Sequence, residues 1–341
     1  MIAGLGIAAA HRHAKASPPW LLDIDYRQLV SQADLIYEDP APVQGQPIGN
    51  GRMGTMIWTS PGAIHMQINR VDVFGVNKNH AGKREGPADY CGGAAKITVE
   101  LGGQPLLASE TFRQQLSLYD AQCTLDGDGV NVRCFVSAAA DVLAIEVDDR
   151  RETPQPLRVK VSMLREPEVK TGEHVARTAF ADGADRVLLV QRFQEKDHYN
   201  ASAVAVAIVK GGFKVEAPGA KDRVLVAPAA RGKWTVLISS AAAWEPQADV
   251  GPAASGVLNM ATRRPIEDLR REHGVWWSDF WSRTFVDLTS GDGVADFMER
   301  VRTLQLYYMA SSSRGMLPAK WNGSIFAVDG DQRYWGSQFW V

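Results

Sequence analysis

Between Trp321 and Trp340 the chain concentrates side chains that suit a polyhydroxylated ligand. Trp321–Asn322–Gly323–Ser324 is followed by Asp329–Gly330–Asp331–Gln332–Arg333–Tyr334–Trp335–Gly336–Ser337–Gln338–Phe339–Trp340. Planar amides and carboxylates pair with hydroxyls, and indole faces cover the apolar side of a sugar ring. Asn322, Asp331, Trp335 and Gln338 are therefore candidate sugar contacts. The plainer alternative is a polar connecting loop with a few packing aromatics. No pair of carboxylates stands out as the general acid and base that glycoside hydrolysis needs, so no catalytic residue is assigned.

Other chemistries find less support. Gly49–Asn50–Gly51–Arg52–Met53–Gly54 fits the spacing of a dinucleotide-binding loop, but no strand precedes it and Thr55–Met56–Ile57–Trp58 reads as a strand where a helix should begin. A tight turn entering a strand accounts for it better. There is no nucleophile elbow, metalloprotease motif or phosphate-binding loop. His65, His80, His174 and His198 have no partner at ligand spacing, so neither metal nor cofactor is expected. The three cysteines show no zinc spacing. Cys123 and Cys134 flank the hairpin signal Asp126–Gly127–Asp128–Gly129 and point to the buried face of neighbouring strands, as a bridge or as two reduced thiols.

The elements that must hold these residues are mostly strands. Period-two or short apolar runs recur at 55–59, 63–69, 95–101, 142–147, 157–164, 186–193, 203–209 and 234–240, separated by Gly, Pro, Asp and Asn clusters. So many strands favour two large packed antiparallel sheets over a barrel. Glu245–Gly256 reads as a loop. Pro265 then opens a helix with Ile266, Leu269, His273, Trp276 and Phe280 on one face. A second helix follows Ser290–Gly291–Asp292. Val294, Phe297, Val301, Leu304 and Tyr308 form its apolar stripe, widened by Met298, Leu306 and Tyr307. A stripe so apolar needs burial against other helices, and none follows it before Val341, so the chain reads as a fragment whose stripe is partly exposed or docked on the sandwich.

The fold class is thus mainly β: a large antiparallel sandwich (17–258), a linker helix (259–285) and the first helix of a truncated helical barrel (286–341). Met1–Ala10 is apolar, and Ala14–Lys15–Ala16 has the small-x-small form of a signal-peptidase site. Residues 1–16 therefore read as a signal-peptide-like segment or a loose tail, with secretion or a periplasmic location expected. No segment is long enough to span a bilayer. With a formal net charge of −2, nothing favours nucleic acid or an anionic membrane as partner. Ten tryptophans are many for 341 residues, and a surplus of indoles beyond core packing suits a carbohydrate partner.

Pro47–Ile48–Gly49–Asn50–Gly51–Arg52–Met53–Gly54, followed by Ile64–His65–Met66–Gln67–Ile68–Asn69–Arg70–Val71–Asp72–Val73–Phe74, resembles the N-terminal β-supersandwich of glycoside hydrolase family 95. It resembles more closely the DUF5703 N-terminal domain, whose mark is a Pro-Leu-Gly-Asn-Gly turn and a later Lys-x-Asp-x-Trp strand. Here that strand is replaced by Asn69–Phe74. The similarity continues through Phe112–Leu118, and residues 276–340 resemble the entry to a six-hairpin (α/α)6 barrel. The family 95 likeness implies an inverting glycosidase, with a barrel Glu as general acid and an Asp as base on water. Both would lie beyond Val341. The family's Asn pair would fall near Tyr334–Phe339, where this chain has Trp335, Gly336, Ser337 and Gln338. A non-catalytic carbohydrate-binding or scaffolding sandwich is the alternative that the same residues leave open.

Overall fold

The computed structural model describes residues 24–39, 45–75, 88–89, 92–107, 111–181, 183, 185–209, 212–318, 325–328 and 332–333. Two large antiparallel sheets dominate. The ten-stranded sheet runs Leu35–Tyr37, Arg113–Ser117, Gln122–Gly127, Val130–Val136, Val142–Asp149, Gly232–Ala243, Tyr199–Ile208, Val187–Gln194, His174–Phe180, Glu168–Thr171 from edge to edge. The seven-stranded sheet runs Lys214–Gly219, Asp222–Ala227, Leu157–Ser162, Gly93–Glu100, Ala63–Arg70, Met53–Ser60, Gln46–Gly49. All eight strand segments expected from the sequence form, with shifted ends. Their alternating apolar residues meet between the sheets, where Ile57, Ile64, Met66, Ile97, Ile145, Val204 and Val206 belong to one buried cluster.

Four helices are described: α1 (Tyr26–Ser31), α2 (Val250–Thr262), α3 (Ile266–Trp281) and α4 (Val294–Ser312). The loop expected at Glu245–Gly256 is a correction, because α2 begins at Val250. Gly251, Pro252 and Gly256 imitate a turn, yet Pro252 lies in the first helical turn, where its missing N–H is not needed. What makes the segment helical is the surface beneath it. Ala201, Ala203, Ala205 and Ala207 project outward from the large sheet and, with Ala144 and Leu237, receive Val250, Ala254, Leu258 and Ala261. Small side chains on both partners let helix and sheet approach closely, and Ser239 donates its hydroxyl to the Ala254 carbonyl at 2.7 Å. The expected boundary at 258/259 thus falls within α2.

Helix α3 buries Leu269, His273, Trp277 and Trp281 along one face. Trp281 Nε1 donates to the Leu118 carbonyl at 3.1 Å, and Trp277 stacks on Tyr307 of α4 with centroids 5.3 Å apart. Tyr307 in turn donates its hydroxyl to the Pro47 carbonyl at 2.7 Å. This aromatic chain pins both helices to the sandwich.

Helix α4 lies with its apolar seam outward. Its buried positions are Glu299, Thr303, Tyr307, Ala310, Ser311 and Ser312, and Glu299 accepts the Leu288 N–H at 2.6 Å. Phe297 is 64 % exposed, Val294 57 %, Met298 56 % and Val301 45 %. Gly293 opens the helix at φ +76°, a left-handed conformation that suits glycine. Because Phe297 projects into solvent, Phe297→Glu is expected to change the unfolding free energy by less than about 0.5 kcal/mol. Urea titration checks this; a loss above about 2 kcal/mol would mean a packed side chain.

Cys123 and Cys134 sit directly opposite each other in register, as their strand pattern implied. Both are buried free thiols. Burial pushes both thiol pKa values up, so in the native state they behave as small core residues.

Candidate functional site

The Gly49–Gly54 segment is a tight turn entering a strand, as expected, but a strand also precedes it: Gln46–Gly49 pairs with Met53–Ser60, with Gly49 opposite Gly54, so the expectation that no strand stands before the turn is corrected. Gly51 has φ +82°, which a side chain would strain. Asn50 is 1 % exposed and fully used. Its Oδ1 accepts the N–H groups of Arg52 and Met53, both at 3.0 Å. Its Nδ2 donates to the carbonyls of Ser137 and Ala140 and to Asp141 Oδ1. One amide therefore shapes the turn and ties the small sheet to the 137–141 loop of the large one. The C-terminus of α4 closes on the same turn: Gly51 N–H donates to the Ser311 carbonyl at 2.8 Å, and Arg314 N–H donates to the Gly51 carbonyl at 3.3 Å.

Beside the turn lies a buried ionic cluster. Arg70, with a side chain only 4 % exposed, holds Asp72 through two parallel bonds of 2.7 Å. Its Nη1 also donates to Asp141 at 3.1 Å and to Ser240 Oγ at 2.6 Å. Arg52 meets Asp141 at 2.9 Å. Burial raises the Asp141 pKa, but Arg70, Arg52 and the Asn50 amide outweigh burial and hold it below the usual carboxylate value. Arg314 lies against the Trp276 ring, 3.8 Å from its centroid. Its Nε and Nη2 are buried without a hydrogen-bond partner. Burial, with Arg52 nearby, lowers its pKa to about 10.

A cavity of about 280 Å³ opens on this cluster. Arg52, Asp72 and Glu245 supply its polar lining, and Val71, Trp244, Leu317 and the largely exposed Met316 its apolar lining. Trp244 Nε1 donates to the Asp72 carbonyl at 2.9 Å, and its ring packs edge-on against Phe74, 6.1 Å between centroids. The indole is thus fixed before any ligand arrives, while 37 % of the residue remains exposed. Two larger depressions lie on the strand face beside the α2–α3 corner and along the outside of α3, and both contain ion pairs, Arg270 with Glu146 at 2.9 Å and Arg27 with Asp120 at 2.6 Å.

Asn322, Asp331, Trp335 and Gln338 all lie outside the described residues, so the contacts assigned to them are untested. The segment between them is anchored. Ile325 and Phe326 are buried against Val71, with Met56 and Leu317 alongside. Asn69 Nδ2 donates to the carbonyls of Ile325 and Ala327 at 3.0 and 2.9 Å. Gln332–Arg333 pairs antiparallel with Ala88–Asp89. Ile325 and Phe326 thus lie beside Val71 and Leu317, which also line the cavity. The residues that sequence reading did not nominate are Arg52, Asp72, Trp244 and Glu245. The one available signal was a run of charged residues, Arg70 and Asp72, continuing an otherwise apolar strand.

Residues 43–207 match the family model for the N-terminal domain of DUF5703, a domain of unknown function. The match takes in the Gly-Asn-Gly turn and ends within strand Tyr199–Ile208, before all of α2, α3 and α4. No curated protein matches. Among solved structures, a putative kojibiose phosphorylase from the human microbiome superposes with a TM-score of 0.46 at 10% identity, over 83% of this chain and 42% of that one. A family GH92 α-mannosidase from Bacteroides thetaiotaomicron gives 0.44 at 8% identity, over 84% and 41%. The chain spans about two fifths of the length of either protein.

Proposed function

We propose that this chain is the N-terminal part of an exported glycoside hydrolase-like protein acting on glycans. In this reading the sandwich is followed by a helical barrel of which α4 is the first helix. Barrel carboxylates beyond Val341 serve as general acid and as base on water, the inverting arrangement of family 95. Asn322, Asp331, Trp335 and Gln338 line the barrel mouth.

One observation carries the reading. Helix α4 docks through Glu299, Thr303, Tyr307 and Ala310 and leaves Val294, Phe297, Met298 and Val301 largely exposed. Each large apolar side chain left exposed forgoes about 1.5–3 kcal/mol, and a neighbouring helix laid along that seam would supply the missing burial. The likeness of residues 47–74 to glycosidase sandwiches supports the same assignment. The second reading, a non-catalytic carbohydrate-binding sandwich, is favoured by the preorganised cavity at Trp244.

The test compares this 341-residue chain with the product of the longer reading frame on a panel of aryl glycosides and oligosaccharides. Hydrolysis by the longer product alone is expected. Turnover by the shorter chain would overturn the fragment reading. Glycan binding without turnover by the longer product would favour the binding module.

A further inference from the structure

We infer that the cavity between Trp244 and Leu317 is a binding site for a single uncharged pyranose ring. The inference deepens the glycan reading above and rests on it for the ligand class. Size sets the first limit. About 280 Å³ lies at the small end of ligand pockets, which run from about 300 to 1,000 Å³, and suits one ring better than a longer chain.

The lining sets the second limit. Trp244, Met316 and Leu317 offer apolar surface, while Asp72, Glu245 and Arg52 offer hydrogen-bonding groups on the same small volume. A pyranose has this division, with C–H groups on its faces and hydroxyls around its edge, and indole is the side chain best suited to the C–H face. The Trp244 ring is already immobilised by its bond to the Asp72 carbonyl, so little ordering opposes binding.

Charge sets the third limit. Arg70 is committed to Asp72 and Asp141, and Arg52 to Asp141. Two guanidinium groups therefore face two carboxylates. Glu245, an exposed carboxylate that accepts the Trp244 N–H, adds one further negative charge at the rim. A uronate, sulfated sugar or nucleotide would bring its anion toward Glu245, while Arg52, the lining cation, is already paired with Asp141, and Arg314, whose unpartnered nitrogens are buried beside Trp276, does not line the cavity.

The cavity also depends on α4. Met316 and Leu317 follow directly from the segment that Gly51 holds through Ser311 and Arg314. A ring touching both Trp244 and Leu317 favours the docked helix.

The experiment is a binding titration of the intact chain, by calorimetry and tryptophan fluorescence, with the methyl glycosides of glucose, mannose, galactose, fucose and glucuronic acid. Binding of at least one neutral glycoside in the millimolar range is expected, with the glucuronide at least tenfold weaker. Trp244→Ala should weaken binding at least tenfold. Because that change also removes a structural hydrogen bond, Gly315→Phe is the second variant. Gly315 lines the cavity and a Cβ added there meets no atom within 4 Å, so a phenyl ring can be attached at the site without a clash at its root. Loss of binding in Gly315→Phe at an unchanged melting temperature supports the site. Three outcomes overturn it: no neutral glycoside binding up to 100 mM, binding indifferent to both variants, or preference for the glucuronide. Failure of the longer reading frame to hydrolyse glycosides would refute the enzyme reading and leave this measurement standing.

Discussion

Replacing Arg70 with methionine is expected to destabilise the chain by about 3–5 kcal/mol, the usual consequence of removing one partner from a buried ion pair. Methionine keeps much of the arginine stem and its apolar packing, so the loss isolates the guanidinium. Without it, Asp72 loses both of its 2.7 Å bonds. Asp141 keeps Arg52 and Asn50 but loses its more deeply buried cationic partner. The Ser240 hydroxyl, 1 % exposed as a residue, loses the acceptor role it plays toward Nη1. Urea unfolding measures the cost. The double variant Arg70→Met/Asp72→Asn should be less destabilised than the sum of the single changes, because the second removes the charge that the first strands. A cost below about 1 kcal/mol for Arg70→Met would mean that water reaches this cluster freely.

This cluster also marks the limit of what the sequence discloses. Strand Ala63–Arg70 was legible because Ile64, Met66 and Ile68 recur at period two. Tyr199–Ile208 was legible because it is apolar on both faces, as a strand covered by α2 on one side must be. Partners set by topology leave no local trace. Asp141 lies 71 residues from Arg70 and Trp244 lies 172 from Asp72. No spacing rule joins them until the sheets are assembled.

The strands Glu168–Thr171 and His174–Phe180 were missed for a different reason. Glu168–Thr171 ends the large sheet with no buried residue, and the buried alternate positions of His174–Phe180 are His174, Ala176 and Thr178, so little apolar alternation shows in either. Helix α2 was hidden by glycine and proline, whose usual meaning as turn formers gave way to the packing of small side chains on an alanine-rich sheet face. With α4 the stripe was read correctly. Its partial exposure was one of the two expected outcomes; what the pattern did not disclose is that Tyr307, counted with the stripe, turns inward to the Pro47 carbonyl while Ser311 and Arg314 fix the helix end on Gly51.

Acidification should weaken the fold through His273 well before the carboxylates titrate. The imidazole is fully buried. Its Nε2–H donates to the Asp120 carbonyl at 2.8 Å, and Nδ1 has no partner. Burial first, and then the Arg314 cation, disfavour the protonated ring and lower its pKa from 6.5 to about 4. In the unfolded chain the ring takes up a proton near its ordinary value. Between pH 6.5 and about 4 the unfolded state therefore binds more protons than the native one, and stability falls as pH falls. Above that window the contribution is fully present; below it the loss is complete, at about 3 kcal/mol. At pH 5 the expected loss relative to pH 7.5 is about 2 kcal/mol. Glutamine at this position can still donate to the Asp120 carbonyl but cannot titrate. His273→Gln should lower stability at neutral pH through poorer packing against Phe135 and Trp277. Its unfolding free energy should nevertheless depend much less on pH between 7.5 and 5. Urea titrations of both proteins at those two values decide the matter. Equal pH slopes would show that His273 is protonated in the native state or reached by water, and that the α3 interface is looser than its burial implies.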